Sequence, residues 1–511
     1  MQKKILLSTI YVYIILILSK VLGLGREMLI GSTYGADWRV DVFVIVSTIP
    51  TVVLYLITNG VSSAFIPIYN KCISETNDEN EAIKVTNNIV NIVFFTSIAL
   101  MILGIFFSPI LIKIIAPGFS EEQYLLAVKY LRIFFITIIF VGIEGVITGF
   151  LQCNNKFMYN PLSITIFNIS SIILILVLSP KMGIYGLVVG TIISTILRVV
   201  IIIIGAFKSK YKYKLYINFN DKYLKTLIKM IIPIILSTLV LEVNVIVDKS
   251  FASLATEGAI SIINYADKIL SLIRSLFYYL LSFIIFPILS KMYYKNKKKY
   301  SRSSSVGMYV IMYFTVFIAI YLFISAEDIV KLIYFRGSFR LEAIYKTSIV
   351  FKIYSLSLIW FVLKDFIKNL SITTEKTKVI LLATIVNMLT NVVLDIILFN
   401  KYGIYGLAIA TTISVMMEFI IFFINYIINN KFLVIRYLVH FSGAIVFSIL
   451  VIFIVQYFII NILNNSLLND VILIRQLVLG IISLGLYILI IMIFNHNNIK
   501  YIKEILNGDQ E

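Results

Sequence analysis

Long apolar stretches follow one another along nearly the whole chain, and short polar stretches separate them. Most of the apolar stretches have about 20 residues or more, the length at which an α-helix crosses the roughly 30 Å hydrocarbon core of a bilayer. A helix also satisfies its own backbone hydrogen bonds, as a segment inside lipid must. The pattern therefore predicts about fourteen transmembrane helices, at residues 5–24, 40–68, 85–110, 125–150, 160–179, 184–206, 228–253, 262–290, 304–325, 343–370, 377–399, 403–428, 437–461 and 474–494.

The composition agrees with this pattern. Of the 511 residues 60% are apolar and only 14% are charged, and the mean hydropathy is +0.99. Soluble proteins carry about 25% charged residues. The first predicted helix follows Lys3 and Lys4 and has no small-residue cleavage site, so we expect it to be retained rather than removed as a signal peptide. The sequence thus predicts an all-α polytopic membrane protein.

The net charge of +18 is concentrated in alternate connections between the predicted helices. Lysine and arginine are enriched in cytoplasmic loops. We therefore predict a cell-membrane protein with both termini in the cytoplasm, with basic loops that contact anionic headgroups and without nucleic-acid binding. The basic residues of the predicted cytoplasmic connections and tail are Lys208, Lys210, Lys212, Lys214, Lys222, Lys225, Lys291, Lys295, Lys297, Lys298, Lys299, Arg302, Lys431, Arg436, Lys500 and Lys503.

Residues that support catalysis or bind transition metals are few. The chain has two cysteines and two histidines, and their spacing matches no zinc, haem or thiol-nucleophile pattern. It contains no G-x-x-x-x-G-K-[ST] phosphate loop. His440 and His496 support no Ser-His-Asp arrangement. We therefore expect neither an enzyme nor a protein with an organic cofactor.

The chain contains an internal repeat with an offset of 220 residues. A unit of six predicted helices returns the chain to the same side of the membrane, so the two copies would be parallel and pseudo-symmetric about an axis along the membrane normal. We predict an N-terminal lobe over residues 1–227, a C-terminal lobe over 228–430, and two added helices with a cytoplasmic tail over 431–511. The recurring segments are Gly183–Leu187 and Gly403–Leu407, Phe65–Ile68 and Ile285–Ile288, and Asn168 and Asn387, the last pair at an offset of 219.

Two parallel lobes are typical of transporters that work by alternating access around a central site. A channel or a scaffold that arose by gene duplication is the alternative. The topology places the connections that hold Ala116–Phe119 and Tyr334–Phe339 outside the cell. These connections could form part of an outer gate, or they could be ordinary loops.

Charged residues inside the predicted helices mark a candidate site. A charge at the bilayer centre costs at least ~2.5–3.5 kcal/mol, so it needs a partner or a wet cavity. If the lobes face each other, Arg26 and Lys268 converge on one cavity, where two cations suit a pyrophosphate and acidic neighbours hold them in the empty site. The alternative is that these residues lie at helix ends and extend to the headgroups. The two clusters are Lys20, Arg26, Glu27 and Asp41 in the first lobe, and Asp267, Lys268 and Arg274 in the second.

A second set of polar residues suits a small hard cation. Asn391 and Asp395 are four residues apart, so they share a helix face. Asp248 lies in predicted helix seven and Thr411 in predicted helix twelve. These residues offer oxygen ligands from three helices, and two of the ligands are carboxylates. The set predicts coupling of transport to Na⁺ or H⁺. A hydrogen-bonded polar seam between helices is the alternative.

Short motifs along predicted helices one to twelve resemble those of one family. They are Ser19–Gly23 with Arg26 and Glu27, Tyr34–Ala36 with Asp41, Asn59–Gly60 with Ala64–Pro67, Ala116–Phe119, Tyr265–Lys268, and Phe335–Phe339. Together they resemble the MurJ (MviN) lipid II flippases, which belong to the multidrug/oligosaccharidyl-lipid/polysaccharide exporter superfamily. The resemblance agrees with the fourteen predicted helices and would explain the repeat.

The resemblance implies a substrate and its contacts. Proteins of this family carry lipid II, an undecaprenyl-pyrophosphate disaccharide-pentapeptide, from the inner to the outer leaflet, and cavity cations are thought to engage the pyrophosphate. The last two helices would shape a groove for the lipid tail, and we expect a monomer. The matching cationic positions are Lys20, Arg26 and Lys268, beside Glu27 and Asp41, and the positions that match a sodium site of some relatives are Asp248, Asn391, Asp395 and Thr411.

The chain departs from the family pattern in its cations. Lys20 and Lys268 stand where the family usually has arginine, and lysine lacks the bidentate fork that grips phosphate oxygens. Leu54 and Tyr55 stand where the family usually has two arginines in helix two. Either Lys20 or Arg274 compensates for the missing cation, or the cargo differs.

Other functions stay open on the sequence alone. The first is a flippase for another undecaprenyl-linked glycan, such as a capsule or teichuronic precursor. The second is a membrane-embedded glycan polymerase or ligase, which would normally have a large external loop. The longest predicted external connection here, residues 326–342, is short. A drug antiporter is the third, although a cationic cavity suits few drugs.

Overall fold

The structure, a computed structural model, describes residues 2–374, 377–429, 453, 457 and 472–494. Within these residues the chain forms α-helices and one π-helical turn, and no strand. The helices are α1 (Gln2–Tyr34), α2 (Trp38–Thr76), α3 (Glu79–Ile115), α4 (Glu121–Phe134), α5 (Thr137–Cys153), α6 (Tyr159–Met182), α7 (Ile184–Lys208), α8 (Lys222–Ser253), α9 (Ala259–Leu280), α10 (Phe286–Lys295), α11 (Lys297–Ile324), α12 (Ala326–Tyr334), α13 (Leu341–Thr373), α14 (Thr377–Tyr402), α15 (Ile404–Asn429) and α16 (Ile472–Phe494).

The helix boundaries follow the 220-residue repeat. Helices α4 and α7 begin at residues 121 and 184, and α13 and α15 begin at 341 and 404. Gly183 and Gly403, which precede α7 and α15, both have a φ of +56°. A Cβ on Gly186 or on Gly406 would overlap the backbone eight residues earlier, so each helix pair turns back on itself in the same way. The repeat predicted from the sequence is confirmed in these elements.

One predicted helix is broken in the structure. The span predicted at 125–150 consists of α4 and α5, which meet at a bend of 41°. At the break the Thr137 hydroxyl donates to the Phe134 carbonyl oxygen at 2.6 Å, which satisfies an acceptor that the broken helix leaves free. The repeat counterpart α13 runs unbroken from Leu341 to Thr373. The span predicted at 125–150 is therefore made of two helices with a bend between them.

The span predicted at 262–290 is interrupted by a π-helical turn at Leu281–Ile285, between α9 and α10. Pro287 lies two residues after the end of the turn. A proline lacks the backbone N–H, and its ring crowds the carbonyl of the preceding turn, which a wider π turn accommodates. The connection predicted at 326–342 is also shorter than expected, because residues 326–334 form α12.

The chain is a multi-pass membrane protein by the length and apolarity of its helices. Seven described helices are long and apolar enough to cross a membrane, or eight if α4 and α5 form one bent span. The full count of fourteen stays a prediction. The predicted span at 437–461 and the C-terminal tail lie outside the described residues, apart from single helical positions at 453 and 457.

Packing divides the chain into two compact units. Unit 1 comprises residues 1–264 with 336–339, and unit 2 comprises residues 265–335 with 340–511. In unit 1, α6 packs against α1 and α7, and α2 packs against α5 and α8. In unit 2, α15 packs against α13 and α14, and α13 also packs against α11. The lobe boundary after residue 227 comes from the repeat and stays a prediction.

The basic connection between α7 and α8 lies along α3 and is held there by buried asparagines. The Asn88 amide donates to the Asn218 carbonyl oxygen at 2.9 Å, and its oxygen accepts the Asn218 backbone N–H at 2.7 Å. The Asn87 amide donates to the Lys212 carbonyl oxygen at 2.9 Å, and its oxygen accepts the Tyr211 hydroxyl at 2.6 Å. Burial raises the pKa of Tyr211, so the hydroxyl keeps the proton that it donates. The Lys212 side chain stays exposed.

Candidate functional site

Arg26 is a partly buried cation in α1 of unit 1. Its Nη2 donates to Glu27 Oε1 at 2.7 Å, and its guanidinium carbon lies 5.2 Å from the centre of the Phe167 ring in α6. Its Nε is buried and has no hydrogen-bond partner among the described residues. An acid and an aromatic face thus hold the guanidinium, and one buried donor is still available to an anion.

The segment of α1 that carries the other predicted cation is fixed to α6. The Asn168 amide donates to the Ser19 carbonyl oxygen at 2.9 Å and lies 3.3 Å from the Ser19 hydroxyl. Both residues are buried, whereas the neighbouring Lys20 is exposed. The motif asparagine of the first repeat copy therefore anchors the helix that presents Lys20 and Arg26.

Asp41 caps a helix. Its carboxylate accepts the backbone N–H of Gly258 at 2.7 Å, and the backbone N–H and hydroxyl of Ser261 at 2.7 and 2.6 Å. These groups lie at the start of α9, where a carboxylate satisfies free N–H donors and complements the helix dipole. Asp41 makes no ion pair within 4 Å among the described residues. Its predicted place beside the cavity cations stays a prediction.

The second predicted cluster lies on α9 in unit 2. Asp267 and Lys268 are partly buried and make no side-chain hydrogen bond or ion pair within the described part of the chain. The Arg274 guanidinium carbon lies 4.4 Å from the centre of the Phe361 ring in α13. Arg26 and Lys268 belong to different compact units, so their convergence stays a prediction.

The predicted cation ligands also divide between the units. Asn391 and Asp395 are both buried on α14, and both amide atoms of Asn391 have no hydrogen-bond partner among the described residues. Thr411 lies on α15 of the same unit, and its hydroxyl donates to the Leu407 carbonyl oxygen at 3.0 Å. Asp248 lies on α8 of unit 1. A buried amide oxygen without a hydrogen bond suits a hard cation, so the unit 2 residues fit such a ligand.

Two buried ion pairs occur at positions that the sequence analysis did not single out. In unit 1, Arg198 Nε of α7 donates to Glu144 Oε1 of α5 at 2.7 Å, and only 2% of the Glu144 side chain is exposed. In unit 2, Lys364 Nζ of α13 donates to Glu418 Oε2 of α15 at 2.6 Å, and the exposed side-chain fractions are 14% and 5%. The Asn387 amide also donates to Glu418 Oε2 at 2.6 Å.

The two pairs are repeat counterparts with opposite polarity. Adding the repeat offset of 220 to Glu144 gives Lys364, and adding it to Arg198 gives Glu418. The acid therefore lies on the fourth predicted helix of the first copy but on the sixth of the second. The offset seen in the sequence, applied to each charge inside an apolar run, would have found both pairs.

The two glycine-containing loops pack against helix ends in unit 1. The Ser338 N–H donates to the Ser32 carbonyl oxygen at 2.8 Å, and its hydroxyl donates to the Thr33 carbonyl oxygen at 3.0 Å. The Gly118 N–H donates to the Ser253 hydroxyl at 3.1 Å. Each loop of one repeat copy thus docks on the end of the first helix of the other copy, α1 or α8.

These loops need glycine at the contact. A Cβ on Gly337 would overlap the Ser32 carbonyl oxygen, and a Cβ on Gly118 would overlap that of Ser253. Gly337 also has a φ of +58°, in the left-handed region. The predicted external connections therefore pack closely here rather than form open loops.

Known structures with this fold are membrane transporters. The chain is similar to a structure of an inward-facing multidrug resistance MATE family transporter of the MOP superfamily, with a TM-score of 0.69, 15% identity, and coverage of 81% of this chain and 94% of that one. At this identity the likeness shows the fold alone. The fold and the charged residues inside its helices define a multi-helix membrane protein.

More specific likenesses concern one family within this class. The chain is similar to a structure of the lipid II flippase MurJ in an inward closed conformation, with a TM-score of 0.80, 26% identity, and coverage of 96% of this chain and all of that one. It is 27% identical over 425 residues to a probable lipid II flippase MurJ of Buchnera aphidicola, covering 81% of this chain and 82% of that protein. It is also 27% identical over 411 residues to lipid II flippase MurJ of Thermosipho africanus, covering 80% and 83%.

The family model described as lipid II flippase MurJ matches residues 30–482. The chain belongs to this family.

Proposed function

We propose that this protein is a flippase that carries lipid II from the inner to the outer leaflet of the cell membrane. The observation that carries the proposal is the match of the lipid II flippase MurJ family model over residues 30–482. That family's activity is transport rather than catalysis, and the sequence offers no catalytic constellation. The alternative cargo, another undecaprenyl-linked glycan, rests on the absent helix-two arginine alone.

We propose that Arg26 contacts the pyrophosphate of the substrate. The support is its partial burial, its restraint by Glu27 and Phe167, and its buried Nε without a hydrogen-bond partner among the described residues. A donor that is already desolvated and oriented binds an anion at little further cost. The further cations predicted from the sequence for this contact are Lys20 in unit 1 and Lys268 and Arg274 in unit 2, and their participation stays a prediction.

We also propose how the protein is oriented in the membrane and what its basic loops contact. We propose that it works as a monomer with both termini in the cytoplasm, and that the exposed lysines of the connection between α7 and α8 contact anionic headgroups. The buried asparagines of α3 hold the backbone of this connection in place, so the lysines extend from an anchored backbone. Transport is by alternating access.

Depletion of the protein tests the function directly. We expect lipid II to accumulate in the inner leaflet and peptidoglycan synthesis to stop, because the precursor no longer reaches the outer surface. Lipid II in each leaflet is measured with a reagent that reaches only the outer face. If peptidoglycan synthesis continued while only a capsule or teichuronic polymer disappeared, the cargo would be that other glycan.

We also propose that Asn391, Asp395 and Thr411 of unit 2 bind Na⁺, which would couple transport to the sodium gradient. The support is the buried Asn391 oxygen without a hydrogen-bond partner in the described part of the chain, on the same helix face as a buried carboxylate. Asp248 of unit 1 is a predicted fourth ligand.

Sodium is then expected to stabilise the purified protein. A ligand at 100 times its Kd stabilises a protein by about 2.7 kcal/mol. In detergent, the melting temperature should be higher in NaCl than in choline chloride, and Asn391→Ala or Asp395→Ala should remove the difference. Asn400→Ala, an exposed asparagine on the same helix, is the matched control and should keep it. An equal response to both salts in the native protein would contradict the proposal.

A further inference from the structure

Two cations of unit 2 flank one aromatic ring. The Arg274 guanidinium carbon lies 4.4 Å from the centre of the Phe361 ring, and Lys364 Nζ lies 5.1 Å from the same centre. Both cations therefore contact the same ring, which brings two positive charges close to one side chain of α13. Like charges repel strongly where water is scarce, so this arrangement needs anions nearby.

The described residues supply fewer anions than cations here. Glu418 pairs with Lys364, while Asp365 interacts electrostatically with Lys364, Lys368 and Arg274. Three cations therefore share two carboxylates. Neither Arg274 nor Lys368 makes an ion pair within 4 Å among the described residues. One positive charge is left for an anion that is not part of the cluster.

Comparison of the two repeat copies distinguishes this cluster from an ion pair that only holds helices together. The counterparts of Lys364 and Glu418 are Glu144 and Arg198, which form a buried pair of their own. The three remaining charges of the cluster have no charged counterpart in the first copy. At the repeat offset of 220, Arg274 corresponds to Leu54, Asp365 to Gly145 and Lys368 to Thr148.

We propose that Arg274, Lys364 and Lys368 form an anion site in unit 2 that binds the pyrophosphate group of the transported lipid. The Phe361 ring holds the Arg274 and Lys364 heads, and Glu418 with Asn387 keeps Lys364 in place between substrates. Arg274 and Lys368 are partly exposed and Lys364 retains 14% exposure, so an anion can reach them. The pyrophosphate as source rests on the proposed function, whereas the anion site rests on the cluster.

An exchange of the two charges of a pair tests the site. Lys364→Glu with Glu418→Lys keeps an ion pair between α13 and α15, with the polarity of the first copy, but moves the cation away from Phe361. The matched control is Glu144→Arg with Arg198→Glu, which reverses the other pair. Binding of inorganic pyrophosphate to the full chain in detergent is measured by titration calorimetry. The unit 2 exchange should weaken it about tenfold or more, since a hydrogen bond to a charged group has that value, and the control should not.

A single substitution provides a second test in case the protein with the exchanged pair does not fold. Lys368→Gln removes a cation that makes no ion pair within the described residues, so the melting temperature should hold while pyrophosphate affinity falls. Equal effects of the two exchanges, with unchanged affinity in Lys368→Gln, would show a structural pair only and overturn the proposal. Glycerophosphoglycerol, a phospholipid headgroup, should compete weakly; competition equal to that of pyrophosphate would make this a headgroup site and overturn the pyrophosphate assignment.

The site and the function can fail separately. Growth support by the native protein in a flippase-deficient strain is measured alongside binding. If the native chain did not support growth but the unit 2 variants still lost pyrophosphate affinity, the anion site would stand without the lipid II assignment. If the native chain supported growth and these variants bound and worked like it, the site would be refuted and the function would stand.

Discussion

Replacing Arg26 with alanine is expected to abolish growth support in a strain that lacks its own lipid II flippase. The substitution removes a cation that is already held by Glu27 at 2.7 Å and by the Phe167 ring. A hydrogen bond to a charged group contributes about 1.5–3 kcal/mol, so substrate binding should weaken roughly 10- to 150-fold. Arg26→Lys keeps the charge but loses the planar fork, and partial growth is expected.

The control for this experiment is another arginine of unit 1. Arg39 is exposed at the start of α2, and its guanidinium lies over Trp38 at 5.2 Å. Arg39→Ala should support normal growth at equal protein level. Removal of Arg26 also leaves Glu27 less well compensated, so the melting temperature of each variant is measured. Full growth with a stable Arg26→Ala protein would remove Arg26 from the proposed site.

Replacing Gly337 with alanine is expected to stop transport by displacing the loop at 335–339 from the end of α1. A Cβ there overlaps the Ser32 carbonyl oxygen, and the residue is held at a φ of +58°. The left-handed backbone costs an L-residue about 1–2 kcal/mol, and forcing an added group into a packed contact costs about 1–3 kcal/mol more. Growth support and the melting temperature in detergent should both fall.

Two other glycines separate the effect of the left-handed backbone from the effect of the crowded contact. Gly183 has a φ of +56°, but a Cβ there meets nothing within 4 Å among the described residues, so Gly183→Ala tests backbone strain alone. Gly118 has the overlap, with Ser253, but no positive φ, so Gly118→Ala tests the contact alone. We expect Gly118→Ala to impair transport and Gly183→Ala to lower only stability. Normal transport in Gly337→Ala would mean that the docked loop is not needed.

The sequence predicts most of the helices because the signal for each one, a long apolar run, lies within the helix itself. An apolar run of sufficient length has few alternatives to a helix in lipid. The 220-residue offset then predicts matching boundaries, and α7 and α15 begin at that offset. The bend between α4 and α5 was not predictable in this way, because residues 125–150 contain no proline and their unbroken counterpart α13 has a similar apolar pattern.

The candidate site could be predicted only in part. A charge in an apolar run is visible in the sequence, and Arg26 is predicted as a site residue for this reason. The partners of a charge are not visible, since Asp41 caps α9 through residues more than 200 positions away. The repeat offset relates Glu144 to Lys364, but the local pattern does not show that their partners are Arg198 and Glu418. Tertiary contacts between helices, rather than local pattern, decide these roles.

The opposite polarity of the two buried ion pairs constrains how the duplicated gene diverged. A pair of one polarity cannot become the other by single charge reversals without passing through two like charges or one unpaired charge in the interior. Such a state costs about 3–5 kcal/mol, a large part of the stability of a typical domain. A pair that arises from two uncharged residues also passes through one unpaired charge, so neither polarity is reached without a destabilised intermediate. The two copies nevertheless hold opposite pairs at matching positions, which means that the shared helix arrangement accommodates either polarity.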